Sequence, residues 1–179
     1  MALKNEFTVF LVDDDKMFLK MLEDNLTGQK AKYKINYKTF SSGEECLDNL
    51  NQNPDLIILD YYMDKGNANA MNGIQALRRI KEQNPNQEVI ILSGQDKIEV
   101  AVETMKHGAF DYVIKNESAF LRSFNVIKNV INNMKNVEML KVYRLGFFVV
   151  SIILILVFVL FAYLAIVYPD MIFQDKMPA

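Results

Sequence analysis

The strongest constraint on the fold is a short apolar run, Leu56–Leu59, which follows Asp55 and ends at Asp60. Four consecutive apolar residues without polar alternation are typical of a strand that is buried on both faces, as in a parallel sheet. In open α/β sheets, ligands bind beyond the carboxyl ends of the strands. Asp60 is therefore expected at the edge of a sheet where chemistry can take place.

Apolar strands alternate with amphipathic helices along the first two thirds of the chain. Strands are predicted at residues 7–12, 33–40, 56–60, 88–93 and 112–115. Parallel strands need crossover connections, and here each strand is followed by a predicted helix. The pattern predicts a doubly wound α/β fold, with a parallel sheet and helices on both faces.

Three helix starts are predicted from residues that can cap a helix. Asp15 and Asp96 each precede a helical pattern, and a side-chain oxygen at that position accepts hydrogen bonds from the first turn. Ser42 is followed three residues later by Glu45, which is the form of a capping box.

Several strands end in side chains that can carry chemistry. They are Asp13 and Asp14, Asp60, Ser93 and Lys115, and parallel strands would bring them to one edge. Three clustered carboxylates repel one another unless a cation is present, which implies a hard divalent ion such as Mg²⁺. With the lysine ammonium and the serine hydroxyl, such a site suits phosphoryl transfer to an aspartate. The alternative is that these residues are only solvated turn and cap residues.

Six segments carry a family resemblance. They are FLVDDD (10–15), SSGEECL (41–47), PDLIILDYYM (54–63), MNG (71–73), VIILSG (89–94) and HGAFDYVIK (107–115). Together they resemble the receiver domain of two-component response regulators, over residues 5–118. The resemblance implies a flavodoxin-like five-stranded sheet of order 2-1-3-4-5. The helical pattern after residue 118 predicts that the last helix of this domain continues to about residue 135.

The resemblance also implies roles for the acidic residues. Asp60 would be the phospho-acceptor, and Asp13 and Asp14 would bind Mg²⁺ together with it. The backbone carbonyl of Tyr62 would be a further metal ligand. Phosphoryl groups would come from a histidine kinase or a phosphotransfer protein, and the domain would catalyse only its own phosphorylation and dephosphorylation.

Three further residues receive roles from the same resemblance. Lys115 would bind the phosphoryl group, Ser93 would be the hydroxyl that moves towards it, and Tyr112 the aromatic residue that follows. For Tyr112, a role as an ordinary core or surface aromatic is the alternative.

Two positions depart from the family pattern. Asp64 stands where a proline is usual, in a loop, 64–70, that is longer than usual. Asn116 follows Lys115 where a proline with a cis bond is common. A cis bond before asparagine costs roughly 3 kcal/mol, so a trans bond is expected.

Residues 145–168 contain no charged side chain and are bounded by Arg144 and Pro169. About 20 apolar residues cross a membrane, so this segment predicts one C-terminal transmembrane helix. A buried soluble helix is the alternative. Residues 136–144 would form a basic juxtamembrane helix and 169–179 a short external tail. The excess of Lys and Arg before the span places the receiver in the cytoplasm, at a bacterial inner membrane.

The helix that precedes this span has an apolar stripe: Phe120, Phe124, Ile127, Ile131 and Met134. The stripe predicts packing on the sheet, and a dimer seam is the alternative. Farther on, Val137 and Leu140 are candidates for contact with a partner helix, so a homodimer is possible.

The combined prediction is a membrane-anchored receiver that is phosphorylated on Asp60 and acts through protein–protein contact. The alternative is a non-phosphorylated membrane adaptor that uses the fold only for docking. A formal net charge of −2, with no basic patch and no DNA-binding module, argues against a nucleic-acid partner.

Overall fold

The structure is a computed structural model that describes residues 4–63 and 70–167. The strands are β1 (Glu6–Val12), β2 (Lys34–Phe40), β3 (Leu56–Asp60), β4 (Glu88–Ser93) and β5 (Asp111–Ile114). The helices are α1 (Lys16–Gly28), α2 (Gly43–Asp48), α3 (Gly73–Gln83), α4 (Ile98–Lys106) and α5 (Ala119–Val167), with a short 3₁₀ turn at Leu50–Gln52. Asp64 and almost all of the predicted insertion, and the predicted tail, lie outside the described residues.

The five strands form one parallel sheet in the order β2-β1-β3-β4-β5. This is the order that the resemblance implied, and the predicted α/β fold is confirmed. The carboxyl ends of β1 and β3 are neighbours, because Val12 pairs with Leu59. The residues that follow these two strands therefore meet at one edge.

Every residue of β3 is buried, as the unbroken apolar run predicted. Alternate side chains enter different cores, because successive residues of a strand point to opposite faces. Leu56 and Ile58 belong to one apolar cluster, whereas Ile57 and Leu59 belong to the other. Burying each such side chain contributes about 1.5–3 kcal/mol, so β3 is held firmly on both faces.

Of the three predicted helix caps, one is observed as predicted and two differ from the prediction. Asp15 caps α1 as expected, since its carboxylate accepts hydrogen bonds from the backbone of Met17 and Phe18. Asp96 does not cap α4: the helix starts one residue later, after Lys97, and without a side-chain cap. The carboxylate of Asp96 is thus one position too early to serve the first turn.

The capping box predicted for α2 is only half formed. The hydroxyl of Ser42 accepts a hydrogen bond from the Glu45 backbone, as predicted. The carboxylate of Glu45, however, accepts from the backbone and hydroxyl of Ser41, not from the Ser42 backbone. A complete box occurs at α3 instead, between Asn72 and Gln75, where none was predicted.

Strand β5 ends at Ile114, one residue before the predicted end. The chain turns there, because the Asn116 backbone N–H donates to the Ile114 carbonyl at 2.9 Å. The Asn116 side chain then accepts hydrogen bonds from the backbone and hydroxyl of Ser118, just before α5. No cis peptide bond occurs among the described residues, so the expected trans bond before Asn116 is confirmed.

Helix α5 spans the boundary between two compact units, one ending at Met134 and the other starting at Lys135. In the first unit, Phe124, Ile127 and Ile131 are buried in the core and Phe120 and Met134 pack against it, which confirms the packing interpretation of the stripe. In the second unit, the large apolar side chains between residues 145 and 167 are exposed. By length and composition, this helix could cross a membrane.

Candidate functional site

Three carboxylates meet at the edge where β1 and β3 end. Asp13 follows β1 and Asp60 is the last residue of β3, and these side chains are buried, with exposures of 1% and 3%. Asp14 is half-buried beside them. One carboxylate oxygen from each of the three lies within 4.8 Å of the others. The sequence prediction that these acids converge is therefore correct.

Lys115 supplies the positive charge at this cluster. Its Nζ lies 2.6 Å from Asp13 Oδ2 and 2.8 Å from Asp60 Oδ1. The backbone of Lys115 is fixed by a 2.7 Å hydrogen bond to the Ser93 carbonyl, which extends the pairing of β4 and β5 by one residue. The ammonium thus bridges the two buried carboxylates.

Backbone groups hold the same carboxylates from the other side. The Asp15 backbone N–H donates to Asp13 Oδ1 at 2.9 Å, and the Tyr62 backbone N–H donates to the Asp60 carboxylate. For Asp13, the oxygen held in this way is the one that Lys115 does not contact. The predicted role of the Tyr62 carbonyl as a metal ligand stays a prediction.

The electrostatics of the pocket disfavour ionised carboxylates. Burial, and then the nearby charge of Asp13, raise the pKa of Asp60 to about 6, although Lys115 opposes the shift. Burial also raises the pKa of Asp13. A nearby positive charge favours the ionised form of a carboxyl group. A cation bound here would therefore keep the buried carboxyl groups ionised, and the site is suited to bind a cation.

A glycine allows α3 to start against the backbone of the site. A Cβ at Gly73 would lie 2.3 Å from the Asp60 carbonyl oxygen and 2.6 Å from Tyr61 Cα. The Gly73 backbone N–H also donates to the Tyr61 carbonyl at 2.9 Å. Gly73 therefore permits the close approach that fixes the chain just after Asp60.

Ser93 and Tyr112 form a second group beside the cluster. Ser93 ends β4 and is fully buried, and its Oγ accepts a hydrogen bond from the Gln95 backbone at 3.2 Å. The Tyr112 hydroxyl donates to the Gln95 carbonyl at 2.7 Å. Burial raises the pKa of Tyr112, while a hydrogen bond with Ser93 lowers it. Tyr112 is buried, which excludes the surface interpretation.

One aromatic contact of the site was not predicted. Lys115 Nζ lies 4.6 Å from the centre of the Phe18 ring, and that ring stacks on Phe120 at 5.6 Å with an angle of 29° between the planes. In the sequence, Phe18 is one of the apolar residues, with Leu19, Leu22 and Leu26, that recur at helical spacing after Asp15. Its position just after the Asp13–Asp15 run is the signal that could have indicated a contact with the site.

The residues present fit a hard divalent cation. The described residues offer three clustered carboxylates here, and oxygen is the ligand that Mg²⁺ prefers. The same pocket holds a carboxylate that could act as a nucleophile, with an ammonium 2.8 Å from it. The arrangement can therefore bind an anionic group and stabilise the charge that develops in its transfer.

Comparisons with known proteins agree with this geometry. A family model described as the response regulator receiver domain matches residues 9–121. The transcriptional regulator NtrC of Klebsiella pneumoniae is 36% identical over 107 residues, which are 59% of this chain but only 21% of that protein. The chemotaxis protein CheY of Thermotoga maritima is 31% identical over 108 residues, which are 60% of this chain and 83% of that protein.

Solved structures show the same relationship. The receiver domain of the Francisella response regulator 1452 has a TM-score of 0.62 and 26% identity, covering 72% of this chain and 98% of that one. A chain of the CheX-CheY-BeF3-Mg²⁺ complex from Borrelia burgdorferi has a TM-score of 0.59 and 27% identity, covering 70% of this chain and 89% of that one. The family match, the sheet order and the convergence of Asp13, Asp14, Asp60 and Lys115 lead to one conclusion: this chain belongs to the response regulator receiver domain family.

Proposed function

We propose that this chain is a membrane-anchored receiver that accepts a phosphoryl group on Asp60. The donor would be a histidine kinase or a phosphotransfer protein. The observation that carries the proposal is the Asp60 carboxylate, buried at the end of β3 beside Asp13 and 2.8 Å from the Lys115 ammonium. Asp13, Asp14, Asp60 and the Tyr62 carbonyl would hold Mg²⁺, which supplies positive charge for the transferred group when bound.

The proposed transfer uses this chain's own groups as follows. A carboxylate oxygen of Asp60 attacks the donor phosphorus, the bond from phosphorus to the leaving group breaks, and an aspartyl phosphate forms. Lys115 then pairs with a phosphoryl oxygen instead of with the Asp60 carboxylate. Attack of water on the phosphorus later releases inorganic phosphate and restores the carboxylate.

The response to phosphorylation would begin at Ser93. A phosphoryl group adds charge and acceptor oxygens, and it attracts the Ser93 hydroxyl. That movement competes with the 3.2 Å hydrogen bond from the Gln95 backbone. Because the Gln95 carbonyl also accepts from Tyr112, the segment before α4 and the Tyr112 side chain would move together.

The output would be a protein–protein contact on the surface of α4 and β5. A groove of about 590 Å³ lies there, lined mostly by apolar side chains that include Ala101, Tyr112 and Ile114. Ile98, Val102 and Met105 of α4 line it as well and are exposed, with Ile98 exposed by 75%. Exposed apolar patches of this kind mark sites of protein interaction.

Phosphorylation is tested by intact mass on the full chain in detergent, with Mg²⁺ and acetyl phosphate. We expect one phosphoryl adduct on the wild type, and none on Asp60→Asn or when Mg²⁺ is chelated. Asp96→Asn is the matched control, since Asp96 is an exposed acid that should be dispensable for the reaction. An adduct that persists in Asp60→Asn would contradict the assignment.

The same variant separates the proposal from the docking adaptor. A receiver should bind its output partner differently after phosphorylation, and Asp60→Asn should lose that difference. A docking adaptor should bind its partner equally well as the wild type and as Asp60→Asn.

The anchor is proposed from the part of α5 after Arg144, whose large apolar side chains are exposed and which contains no charged residue. We expect the full chain to stay with membranes after an alkaline carbonate wash, because about 20 apolar residues suffice to span the bilayer. Changing Ile155 and Leu156 to arginine should release it, since each arginine at the centre of a span costs about 2.5–3.5 kcal/mol. Leu156→Ile is the control. Release of the wild type by carbonate would instead indicate a soluble or peripheral helix.

A further inference from the structure

We propose that the stacked Phe18–Phe120 pair positions the Lys115 ammonium and transmits the state of the acidic pocket to the start of α5. The inference rests on the proposed phosphorylation of Asp60, and it adds a route that does not pass through Ser93 and Tyr112. Phe18 and Phe120 are positioning residues in this account, because neither touches the reacting carboxylate.

The contact joins three separate elements. Lys115 follows β5, Phe18 belongs to α1, and Phe120 is the second residue of α5. The ammonium of Lys115 lies 4.6 Å from the Phe18 ring centre, within the distance at which the face of an aromatic ring attracts a cation. The centres of the Phe18 and Phe120 rings lie 5.6 Å apart with 29° between the ring planes, which is a stacked arrangement within the favourable range of distances.

The contact with the Phe18 ring can hold the Lys115 ammonium in place when phosphorylation changes one of its two carboxylate partners. Lys115 is bound to Asp13 at 2.6 Å and to Asp60 at 2.8 Å, and phosphorylation converts the Asp60 carboxylate into an acyl phosphate. A lysine side chain is flexible, so losing one partner would allow it many positions. The attraction of the Phe18 ring does not depend on either carboxylate. It therefore keeps the ammonium near the pocket while its anionic partner changes.

Through the Phe18–Phe120 stack, a movement of the Lys115 ammonium can reach α5. When Lys115 moves towards a phosphoryl oxygen, its distance from the Phe18 ring changes, and the Phe18 ring is in direct contact with Phe120. Phe120 lies in the first turn of α5, which follows the turn held by Asn116 and Ser118. A small displacement of Phe18 thus acts on the point where α5 begins.

A purely structural role is the competing interpretation, since both rings also pack against the core. The chain contains a matched control for it. Phe7 is buried in the same apolar cluster, pairs edge-on with Tyr33 at 5.6 Å, and has the Lys4 ammonium 5.5 Å from its ring centre. Phe7 therefore has the same kinds of contact as Phe18, but with residues that do not belong to the site.

The positioning role is tested by kinetics on the full chain in detergent. With acetyl phosphate and Mg²⁺, Phe18→Leu should lower kcat/KM for phosphorylation by about threefold to tenfold, the size expected for one cation–ring contact. Phe18→Tyr keeps the ring and should restore the wild-type value. Phe7→Leu should lower the thermal midpoint without lowering kcat/KM. Equal kinetic effects of Phe18→Leu and Phe7→Leu would overturn the inference.

A second measurement does not need phosphorylation. In the metal-free protein, the proton resonances of the Lys115 Cε group should show an upfield ring-current shift that Phe18→Leu removes and Phe18→Tyr retains. Absence of that shift in the wild type overturns the positioning role. Absence of a phosphoryl adduct on the wild type overturns the proposed function instead, so the two failures can be distinguished.

Transmission is tested by amide hydrogen exchange with and without beryllofluoride and Mg²⁺. In the wild type, exchange should change both around Gln95 and in the first turn of α5. In Phe120→Leu, the change around Gln95 should remain and the change in α5 should be lost. An unchanged response of α5 in Phe120→Leu would overturn the transmission role.

Discussion

Asp60→Asn is expected to stabilise the metal-free receiver by about 3 kcal/mol near neutral pH. Burial and the charge of Asp13 raise the pKa of Asp60 from 3.8 to about 6, so ionising this carboxyl costs more in the folded protein than in the unfolded chain. Each pKa unit corresponds to about 1.4 kcal/mol. Asparagine has nearly the same shape and carries no charge, so it avoids that cost.

The same shift fixes the sign of the pH dependence. Between pH 3.8 and about 6, the folded protein holds a proton on Asp60 that the unfolded chain has released. The free energy of unfolding should therefore fall as the pH rises through this window and stay level above it, as far as Asp60 contributes. In Asp60→Asn, the contribution of Asp60 to this fall in the free energy of unfolding should be absent. Asp13, whose pKa is also raised by burial, contributes a fall of the same sign in the wild type.

Urea unfolding from pH 4 to pH 8 measures both effects on a fragment that ends at Met134, the limit of the first compact unit. Asp96→Asn serves as the control for a change of net charge at an exposed position. Saturating Mg²⁺ should reduce the difference in free energy of unfolding between the wild type and Asp60→Asn, because the ion stabilises the wild-type carboxylates. Equal stability and equal pH profiles for wild type and Asp60→Asn would indicate that Asp60 is solvated.

Lys115→Met is expected to destabilise the metal-free protein by about 3–5 kcal/mol, because it leaves two buried carboxylates without their cation. Asp13 and Asp60 both lose an ion pair shorter than 3 Å. Chemical unfolding at pH 7 without metal measures the loss. Lys34→Met is the matched control: Lys34 pairs with Glu6 at 2.9 Å on the surface, and such pairs contribute about 0–1 kcal/mol.

Two further results would support the electrostatic origin of that loss. Adding Mg²⁺ should recover much of the stability of Lys115→Met, since the ion takes over the neutralising role. Combining Lys115→Met with Asp60→Asn should cost less than Lys115→Met alone, because one of the unpaired charges is gone. A loss that is unaffected by Mg²⁺ and by Asp60→Asn would point to the packing of the lysine stem instead.

The strands could be predicted from the sequence because short apolar runs mark them, whereas their order in the sheet came from the family resemblance. The unbroken run Leu56–Leu59 has no helical or alternating pattern, and the structure buries every residue of β3. The convergence of Asp13, Asp60 and Lys115 followed from the same reasoning, since parallel strands end at one edge. The sequence could not show which side chains contact one another inside the site, such as the two ion pairs of Lys115.

The errors occurred where a single residue decides the local structure. Asp96 loses its predicted role because α4 begins one residue later than expected, after Lys97. Helix α2 begins as predicted, but the Glu45 carboxylate bonds to Ser41, one residue before the cap. The contact of Phe18 with Lys115 was missed for a related reason. An aromatic residue in an apolar stripe gives no sign that one face of its ring meets a charge from a distant strand.

The central claim is that the phosphoryl group is carried by Asp60. Borohydride reduces an aspartyl phosphate to homoserine, so the full chain is treated with acetyl phosphate and Mg²⁺, reduced, digested, and analysed by peptide mass spectrometry. We expect homoserine at position 60 in the wild type, dependent on Mg²⁺, and none in Asp60→Asn. Homoserine at Asp13 or Asp14, or at no position in a wild type that carries the adduct, would contradict it.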